Sequence, residues 1–543
     1  MKSFFILTAF SLSFNCFAQE PDIILYNGKI FTSDKKQLYT EAIAITGRRI
    51  SAVGKNEVIQ KLAGSKTNKI NLKGKTVVPG FNDAHTHVGA HYPARQFEFI
   101  KQPTDPTPWE IIRDSIQKIV TEIPDGMMIR SEINPDLLED PRVRRKALDS
   151  IAPKNPVILS AWTGHGKICN STALQLLGFD ENTSFAAGKL QKEKNGKLNG
   201  VIEEYSGYIT NSILVDKLSM EEITTGIKNY YHEILSLGIT SNQVMASQMS
   251  VELYRKIFET NDFGVRNRLI AFPMTNRKEL DMRAWSSLFH PLNNKNEISG
   301  VKLILDGTPI ERLAAVKRGY SDRPQEFGKI NFSTGDIKNF IQFCLQNKQQ
   351  IIVHAVGDSS ISMLIHTLRS IHPDKFWKDK RVRIEHADLA VSSSADLKIL
   401  KQMGIVIVQN PLHLGLAEVM AIRWNKRSPY LQAMRSLLNN DIPLAFGSDG
   451  PYNPFLNIML AVIHPDNPPE AITVEEAVIA YTLGSAFAEF KENQKGTLMP
   501  GKLADLAVLS QDIFSIPIQQ LPATSSILTI VDGKIVFEDS RGN

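Results

Sequence analysis

The chain has 543 residues, a length that suits a large barrel with an accessory domain. Hydrophobic residues make up 42% and charged residues 22% of the sequence, which excludes wholesale disorder. The formal net charge is only +5 and no basic block stands out, so we expect no nucleic-acid partner. The internal apolar stretches are short, which excludes a polytopic membrane protein.

The first 18 residues have the pattern of a cleavable signal peptide. A positively charged start is followed by an apolar run over residues 4–14, and small residues up to Ala18 suit a cleavage site. An uncleaved membrane anchor and a lipoprotein are the alternatives, although the residues before Cys16 make a poor lipobox. We therefore expect a periplasmic or secreted protein without residues 1–18 and with no membrane span after signal removal. Cys169 and Cys344 would then be buried thiols rather than a bridge.

Both ends of the remaining chain carry short strand patterns. Turn signals at Asn27-Gly28, Gly47 and Asp532-Gly533 lie between apolar runs and predict three hairpins, and residues 503–509 add one more strand. Neither end can close a core alone, because an isolated hairpin is only marginally stable. We therefore predict one small β-sandwich domain formed by residues 19–76 together with residues 496–543. Two separate β caps are the alternative.

Eight short apolar runs recur through the middle of the chain, each followed by polar residues and a helical pattern. They cover residues 77–81, 239–244, 266–272, 301–305, 351–353, 382–384, 405–408 and 442–446. Strands that alternate with helices favour parallel pairing, so eight such units predict an α/β fold, a (β/α)₈ TIM-like barrel over residues 77–495. The interval from about residue 90 to 236 is too long for one loop. It predicts a large inserted, lid-like subdomain after strand 1.

Side chains that can bind metal ions follow the ends of several predicted strands. They are His85, His87, Lys302, His354, His386 and Asp449. Active sites of such barrels lie where strands end, and residues i and i+2 of a strand point to the same side. Each residue taken singly has an ordinary explanation, such as a core histidine or a lysine that reaches solvent. Their shared position at strand ends nevertheless predicts one site for zinc or a similar divalent ion.

Several motifs resemble those of the amidohydrolase superfamily. The segment VPGFNDAHTH at residues 78–87 resembles its strand-1 signature, and FGSD at residues 446–449 matches its strand-8 motif. Residues 301–307, 353–358 and 383–387 look like its intervening motifs, and residues 496–506 look like its return into the β domain. Gly164-His165 with Asn170-Ser171 is similar to the branch that contains N-substituted formamide deformylase. The resemblance covers nearly the whole mature chain.

The resemblance implies a divalent metal cofactor, zinc in first place, as one or two ions. Two sets of ligands are implied: His85, His87 and Asp449 for the more buried ion, and His354 and His386 for the second. Lys302 would bridge the ions as a carbamate formed with CO₂, and burial favours the neutral amine that this reaction needs. Without the modification, a mononuclear site is the alternative.

Further residues receive roles in catalysis or substrate binding. Asp449 would take a proton from the attacking water and pass it to the leaving nitrogen. His165 would donate to a substrate oxygen from the insertion, with a structural loop histidine as the alternative. Three residues are candidates for substrate binding: Glu204, Arg312 and His413. Glu204 could instead support the site from behind, Arg312 would meet an anionic group, and His413 follows strand 7.

The combined pattern predicts a secreted, metal-dependent amidohydrolase. It would cleave a C–N bond of a small amide, N-acyl or formamide-like molecule with an activated water. A deaminase or cyclic-amide hydrolase on the same scaffold and a non-catalytic metal-holding protein are the alternatives. The presence of Asp449 together with every expected ligand argues against the last of these. The sequence leaves open whether the barrel forms a homodimer.

Overall fold

The computed structural model describes residues 20–97, 108–185, 188–273, 282–425 and 431–539. The predicted signal peptide lies outside the described residues. Within them, no helix combines the length and the apolar composition that crossing a membrane requires. Cys169 and Cys344 are buried free thiols, as predicted.

The first part of the chain supplies seven strands and one short helix. They are β1 (Ile23–Tyr26), β2 (Lys29–Phe31), β3 (Tyr39–Thr40), β4 (Ala42–Thr46), β5 (Arg49–Gly54), α1 (Asn56–Gln60), β6 (Asn68–Asn71) and β7 (Thr76–Pro79). One four-stranded sheet has the order β5-β4-β1-β6, and β4 and β5 form the predicted hairpin across Gly47.

The predicted hairpin at Asn27-Gly28 is wrong. β1 pairs with β4 and β6, whereas β2 pairs with β3 and β7 in a different sheet. The turn itself forms as its sequence indicates, with Asn27 at a φ of 57°. A local turn signal specifies the reversal of the chain, but burial in a shared core decides which strands pair.

The first barrel strand is β8 (Phe81–Thr86). The predicted position of this strand, residues 77–81, is wrong because β7 belongs to the sheet of the chain ends and pairs with β2. Gly80 separates the two strands at a close approach, since a Cβ there would lie 2.1–2.6 Å from side-chain atoms of Thr240. The apolar run at residues 77–81 covers most of β7, Gly80 and the first residue of β8, so its pattern could not locate the junction.

An insertion follows β8 and forms its own sheet. Its strands are β9 (Arg95–Phe97), β10 (Ile129–Ile133), β11 (Val157–Ala161), β12 (Gly166–Cys169), β13 (Lys189–Lys192) and β14 (Leu198–Glu203). Its helices are α2 (Trp109–Glu122), α3 (Asp136–Glu139), α4 (Arg145–Ile151), α5 (Ser171–Leu177) and α6 (Tyr205–Val215). The sheet order is β13-β14-β12-β11-β10-β9. Successive residues of a strand point to opposite sides of this sheet, so Ile158 and Leu159 in β11 join two separate hydrophobic cores.

The chain then builds the remaining seven barrel strands. They are β15 (Ile239–Met245), β16 (Arg266–Ala271), β17 (Asn296–Ile304), β18 (Ile351–Ala355), β19 (Arg383–His386), β20 (Val406–Gln409) and β21 (Leu444–Phe446). Together with β8 they form an eight-stranded sheet in sequence order, and every pair in it is parallel. This nearly closed sheet confirms the predicted TIM-like barrel.

Helices cover the outside of the barrel. They are α7 (Met220–Ser236), α8 (Val251–Thr260), α9 (Arg283–Ser286), α10 (Thr334–Gln346), α11 (Asp358–Ile371), α12 (Asp374–Trp377), α13 (Ser394–Met403), α14 (Ala417–Trp424), α15 (Met434–Asn439), α16 (Pro454–Ile463), α17 (Val474–Ile479) and α18 (Ser485–Ala488). The sequence placed α7 in the insertion, but its apolar residues Ile223, Ile227 and Ile234 join the core of the barrel. The helix thus packs as part of the outer layer of the barrel.

The last part of the chain returns to the first. It supplies β22 (Leu506–Leu509), β23 (Ser526–Val531) and β24 (Lys534–Glu538), and β23 and β24 form the predicted hairpin at Asp532-Gly533. A six-stranded sheet has the order β24-β23-β22-β7-β2-β3. Leu25 and Ile43 of one sheet share a core with Val77, Leu506 and Ile530 of the other. The two chain ends therefore form one layered β unit rather than two separate caps.

Candidate metal centre and active site

A cavity of about 490 Å³ opens at the carboxyl ends of the barrel strands. Its floor carries all six predicted ligand residues: His85, His87, Lys302, His354, His386 and Asp449. Its walls include Tyr208 and residues 162–165 of the insertion, together with apolar side chains such as Ile310 and Leu412. Because the eight strands are parallel, residues far apart in sequence meet at this one end.

Three of these residues form a compact candidate metal site. One ligand atom from each of His85, His386 and Asp449 lies within 4.8 Å of the other two. The Nε2 atom of His85 is 3.5 Å from Oδ1 of Asp449, and Nδ1 of His386 is 4.0 Å from Oδ2. Imidazole nitrogen and carboxylate oxygen atoms are ligands that zinc prefers in proteins.

His87 reaches the same carboxylate. Its Nε2 atom lies 3.2 Å from Oδ1 of Asp449, and its Nδ1 atom lies 2.8 Å from the hydroxyl oxygen of Ser247. His85 and His87 therefore direct the same ring nitrogen toward one oxygen of Asp449, as their i, i+2 spacing predicts.

His354 and Lys302 bring unpartnered polar atoms to the floor of the cavity. The ring centroids of His354 and His386 are 4.4 Å apart. Among the described residues, His354 Nε2, His386 Nδ1 and Lys302 Nζ are buried without a hydrogen-bond partner. Buried polar atoms in native proteins are nearly always satisfied, by protein groups, water or an ion. Three unsatisfied atoms beside one carboxylate therefore fit a metal centre.

The electrostatics of the site suit metal binding. Burial and the nearby Lys302 lower the pKa of His85 to about 4, and burial lowers the pKa values of His354 and His386 well below the ordinary value. Burial opposes the charged form of Asp449, but the surrounding histidines hold the pKa of that carboxyl well below its usual range. Burial also lowers the pKa of Lys302 to about 8. Neutral imidazoles and an ionised carboxylate are the forms that bind metal ions.

Two candidate ligands lie on strained backbone. His386 has a φ of 65° and Asp449 a φ of 58°, in the left-handed region that favours glycine. The amide of Asp449 donates to the carbonyl oxygen of His85 over 2.9 Å, which ties the two segments together. Such conformations cost about 1–3 kcal/mol each and cluster at functional sites, where the surrounding structure holds them.

His165 reaches the cavity from the turn between β11 and β12. Its Nδ1 atom is 3.2 Å from Oε2 of Glu204, and its ring centroid is 5.8 Å from that of His354. Burial disfavours the imidazolium, but the charge of Glu204 outweighs burial and raises the pKa of His165 to about 9. The insertion therefore contributes a protonated imidazole that can donate a hydrogen bond into the cavity.

Two predicted substrate-binding residues, Glu204 and Arg312, lie outside the lining of the cavity, and for Glu204 this agrees with the alternative role of supporting the site from behind. Glu204 is only 1% exposed and contacts His165 instead of lining the described wall of the cavity. Arg312 pairs with Asp322 over 2.6 Å between Nη2 and Oδ2 and lines a neighbouring pocket. A carboxylate ten positions along the chain neutralises its charge, a contact that the sequence pattern did not reveal.

His413 lines the cavity, and its contact with substrate stays a prediction. Its Nε2 atom is 3.8 Å from Oδ2 of Asp449, and its ring stacks on that of His386 with centroids 5.4 Å apart. It therefore lies at the edge of the candidate metal centre, where it can meet a bound molecule.

Sequence reasoning missed a residue that supports a candidate ligand from behind, since Oε2 of Glu385 lies 2.5 Å from Nδ1 of His85. It also missed the role of Asp306, which accepts hydrogen bonds from the backbone amides of Val356 and Gly357 directly after the strand of His354. Burial raises the pKa of Asp306 to about 7. The charged residues Arg383 and Glu385 on either side of Ile384 in β19 were a usable signal, since alternation turns both toward the barrel interior.

Comparison with known proteins places the chain among hydrolases. A family model described as "Amidohydrolase family" matches residues 69–537. The N-substituted formamide deformylase of Arthrobacter pascens is 24% identical over 548 residues, covering 96% of this chain and 99% of that protein. "Protein LONG AFTER FAR-RED 3" of Arabidopsis thaliana is 26% identical over 559 residues, covering 95% of this chain and 91% of that protein.

A solved structure shares the fold. It is that of an uncharacterized metal-dependent hydrolase from Pyrococcus horikoshii, with a TM-score of 0.72 at 21% identity. The match covers 92% of this chain and 99% of that chain, so it includes the β unit, the barrel and the insertion.

Proposed function

The chain belongs to the amidohydrolase family, and on this premise we propose that it hydrolyses a small amide, N-acyl or formamide-like compound outside the cytoplasm. The family makes it a hydrolytic enzyme that acts on C–N bonds. The observation that carries the proposal is the meeting of His85, His386 and Asp449 at the floor of a 490 Å³ cavity. Likeness to N-substituted formamide deformylase over nearly the full length of both chains supports a formamide-like substrate.

The residues of the cavity floor fit a divalent ion, for which we propose zinc. The unsatisfied nitrogen atoms of His354, His386 and Lys302 support this fit. The residues that would hold the metal are His85, His87, His354, His386 and Asp449. When bound, a divalent ion supplies Lewis acidity, which polarises a carbonyl group and makes water a competent nucleophile near neutral pH.

Lys302 would determine how many ions the site holds. With a pKa of about 8, it has a substantial fraction of neutral amine at mildly alkaline pH, the form that reacts with CO₂. The resulting carbamate would offer two oxygen atoms and allow a second ion. An unmodified Lys302 would leave the site with a single ion, because its positive charge repels a second one.

Asp449 and His165 would perform the proton and charge chemistry. Asp449 would accept the proton of the attacking water and deliver it to the leaving nitrogen. His165, protonated beside Glu204, would donate a hydrogen bond to the carbonyl oxygen as negative charge develops on it. An amide and one water then yield a carboxylate and a protonated amine, with formate as the carboxylate if the substrate is a formamide.

Metal analysis and a substrate screen test this proposal. We expect purified protein to contain one or two equivalents of zinc and to release amine and carboxylate from N-alkylformamides or N-acyl amines. Chelation should abolish this activity and added zinc should restore it. A preparation with no bound metal and no metal-restored activity would contradict the proposal, whereas ammonia as the product would indicate a deaminase.

The proposed location has its own test. Expression with the native first residues, followed by sequencing of the mature N-terminus from the periplasm or medium, should give a chain that begins after Ala18. Retention of residues 1–18 in the cytoplasm would contradict it.

A further inference from the structure

A buried carboxylate without an assigned role lies beneath the candidate metal centre. Glu385 is fully buried, and alternation along β19 turns Arg383 and Glu385 toward the barrel interior while Ile384 joins the main hydrophobic core. One carboxylate oxygen of Glu385 accepts from Nε of Arg383, and the other lies 2.5 Å from Nδ1 of His85. Nζ of Lys302 is 3.8 Å from the same oxygen.

The carboxylate of Glu385 is held in place from behind. Arg383 donates to Oε1 of Gln243 over 2.5 Å and to the backbone carbonyl of Ala84, so its guanidinium is fixed on three sides. A buried ion pair adds little net stability compared with apolar residues of similar size, because both charges lose their hydration. The contact of Glu385 with His85 is therefore poorly explained by the stability of the barrel alone.

This second contact determines which nitrogen of His85 carries hydrogen. An ionised carboxylate can only accept, so Nδ1 of His85 must donate to Glu385. The lone pair of the neutral ring then lies on Nε2, the atom that is 3.5 Å from Asp449. His87 makes the corresponding contact with the hydroxyl of Ser247, but a hydroxyl can donate or accept and so does not impose one tautomer.

We propose that Glu385 is a positioning residue that holds His85 in the Nδ1–H tautomer, so that Nε2 is free to bind the metal ion. This inference rests on the metal centre of the proposed function. Partners that orient a metal-binding histidine in this way typically change metal affinity by about 10–100-fold when they are removed.

Zinc affinity of Glu385→Gln tests the inference. The zinc dissociation constant, measured by competition with a chelator on folded protein, should rise about 10–100-fold relative to the wild type. Glu489→Gln is the matched control, because Glu489 is also buried and contacts Asn82 over 2.7 Å and Lys495 over 2.8 Å, outside the cavity. Both variants are expected to lose stability, but only Glu385→Gln should lose zinc affinity.

A second variant separates positioning from a purely structural role. Glu385→Asp keeps a negative charge beside Arg383, so we expect it to be more stable than Glu385→Gln. Its side chain is one methylene shorter than that of glutamate, so its carboxylate should not reach His85. We expect weakened zinc binding and a changed visible absorption spectrum of the cobalt-loaded protein.

Several results would overturn the inference. They are wild-type zinc affinity in a folded Glu385 variant, an equal loss in Glu489→Gln, or a wild-type protein that binds no zinc. A wild-type protein that binds zinc but hydrolyses no amide would contradict only the proposed function, and the zinc measurements would still decide the role of Glu385.

Discussion

Asp449 lies among four imidazole groups in the candidate site. Its carboxylate oxygens lie 3.2–4.0 Å from nitrogen atoms of four histidines: His85, His87, His386 and His413. This surrounding keeps Asp449 ionised despite its burial. One residue can therefore both bind an ion and accept a proton.

Replacing Asp449 by asparagine should separate these two roles. Asparagine keeps the shape but cannot accept a proton, so we expect kcat to fall about 10²–10⁴-fold. The zinc content should stay near that of the wild type, because the histidines remain. Steady-state kinetics and metal analysis on the same preparation check both expectations.

Asp466→Asn provides the control for this variant. Among the described residues, Oδ2 of Asp466 is a buried carboxyl oxygen without a hydrogen-bond partner, but Asp466 does not line the cavity. Turnover by this control should match the wild type, and near-normal turnover by Asp449→Asn would remove Asp449 from the proton-transfer role.

The contact between His165 and Glu204 predicts a pH dependence. Glu204 raises the pKa of His165 to about 9, so the imidazolium is present below that pH and is lost above it. If His165 donates to the substrate, kcat/KM should fall as the pH rises through about 9. Glu204→Gln removes the stabilising charge, lowers the pKa of His165 and should shift this fall to lower pH.

Glu203→Gln is the control for the pH profile. The neighbouring Glu203 accepts from Gln191 rather than contacting His165, so the same substitution should leave the profile unchanged. An alkaline limb that Glu204→Gln does not move would show that His165 is not the titrating donor.

At the scale of elements, the junction between β7 and β8 separates the β unit from the barrel. Gly80 stands at this junction, where its amide donates to the carbonyl oxygen of Asp505 and the side chain of Thr240 fills the space of a Cβ. Glycine is required here by the close approach of β15, and the adjacent strands can then enter different sheets.

Gly80→Ala should therefore destabilise the protein. We expect the free energy of unfolding to fall by about 1–3 kcal/mol, because the new methyl group overpacks against Thr240. Adding Thr240→Ala should recover part of this loss, since it removes the two atoms closest to the new Cβ.

Gly335→Ala in α10 is the control, because the nearest atom to its added Cβ is 3.5 Å away. This exposed helical position should tolerate alanine or gain up to about 1 kcal/mol. Denaturant unfolding of the wild type, Gly80→Ala, Thr240→Ala, the double variant and Gly335→Ala measures these differences. Losses of the two single variants that add up in the double variant would contradict the packing explanation.

At the scale of the whole molecule, a buried ionic network joins the barrel to the β unit. Arg266 at the start of β16 contacts Asp505 and Asp532 of the terminal segment, each over 2.6 Å. Arg48 adds a third contact to Asp532 over 2.8 Å. The network lies at the amino ends of the barrel strands, so it fixes the two parts of the molecule without touching the cavity.

Removing Arg266 should weaken the whole molecule without altering its chemistry. Arg266→Ala leaves two buried carboxylates with fewer partners, which typically costs about 3–5 kcal/mol of unfolding free energy. Burial opposes the charge of Asp532, but Arg48 and Arg266 lower its pKa, so the stabilisation is present near neutral pH and is lost as the pH falls through the lowered pKa. The difference between variant and wild type should therefore shrink in acid.

The control for Arg266 is an exposed pair. Lys401 and Asp441 lie 3.1 Å apart with side chains 54% and 84% exposed, so Lys401→Ala should cost less than about 1 kcal/mol. Denaturant unfolding of the wild type, Arg266→Ala and Lys401→Ala at neutral and acidic pH measures these differences. Zinc content and kcat of the folded proteins show whether the active site is affected. A loss of zinc or kcat in folded Arg266→Ala would contradict the separation of the network from the site.

Much of this architecture could be read from the order of apolar runs and the side chains that follow them. Alternating strands and helices favour a closed parallel barrel, and closure brings every strand end to one rim. For this reason the sequence alone groups five residues at one site: His85, Lys302, His354, His386 and Asp449. The periodicity of apolar residues locates each strand separately, and closure of the barrel then brings the residues at the strand ends close together.

Other features depended on packing between distant segments. The sheet exchange after β1, the break at Gly80, the pairing of Arg312 with Asp322 and the contact of Glu385 with His85 have no local pattern that specifies them. Each depends on a distance between residues that the chain brings together only when it folds, and a difference of a few ångströms changes the partner. Linear order could therefore predict which residues share a rim, while only three-dimensional packing could assign the partner of each.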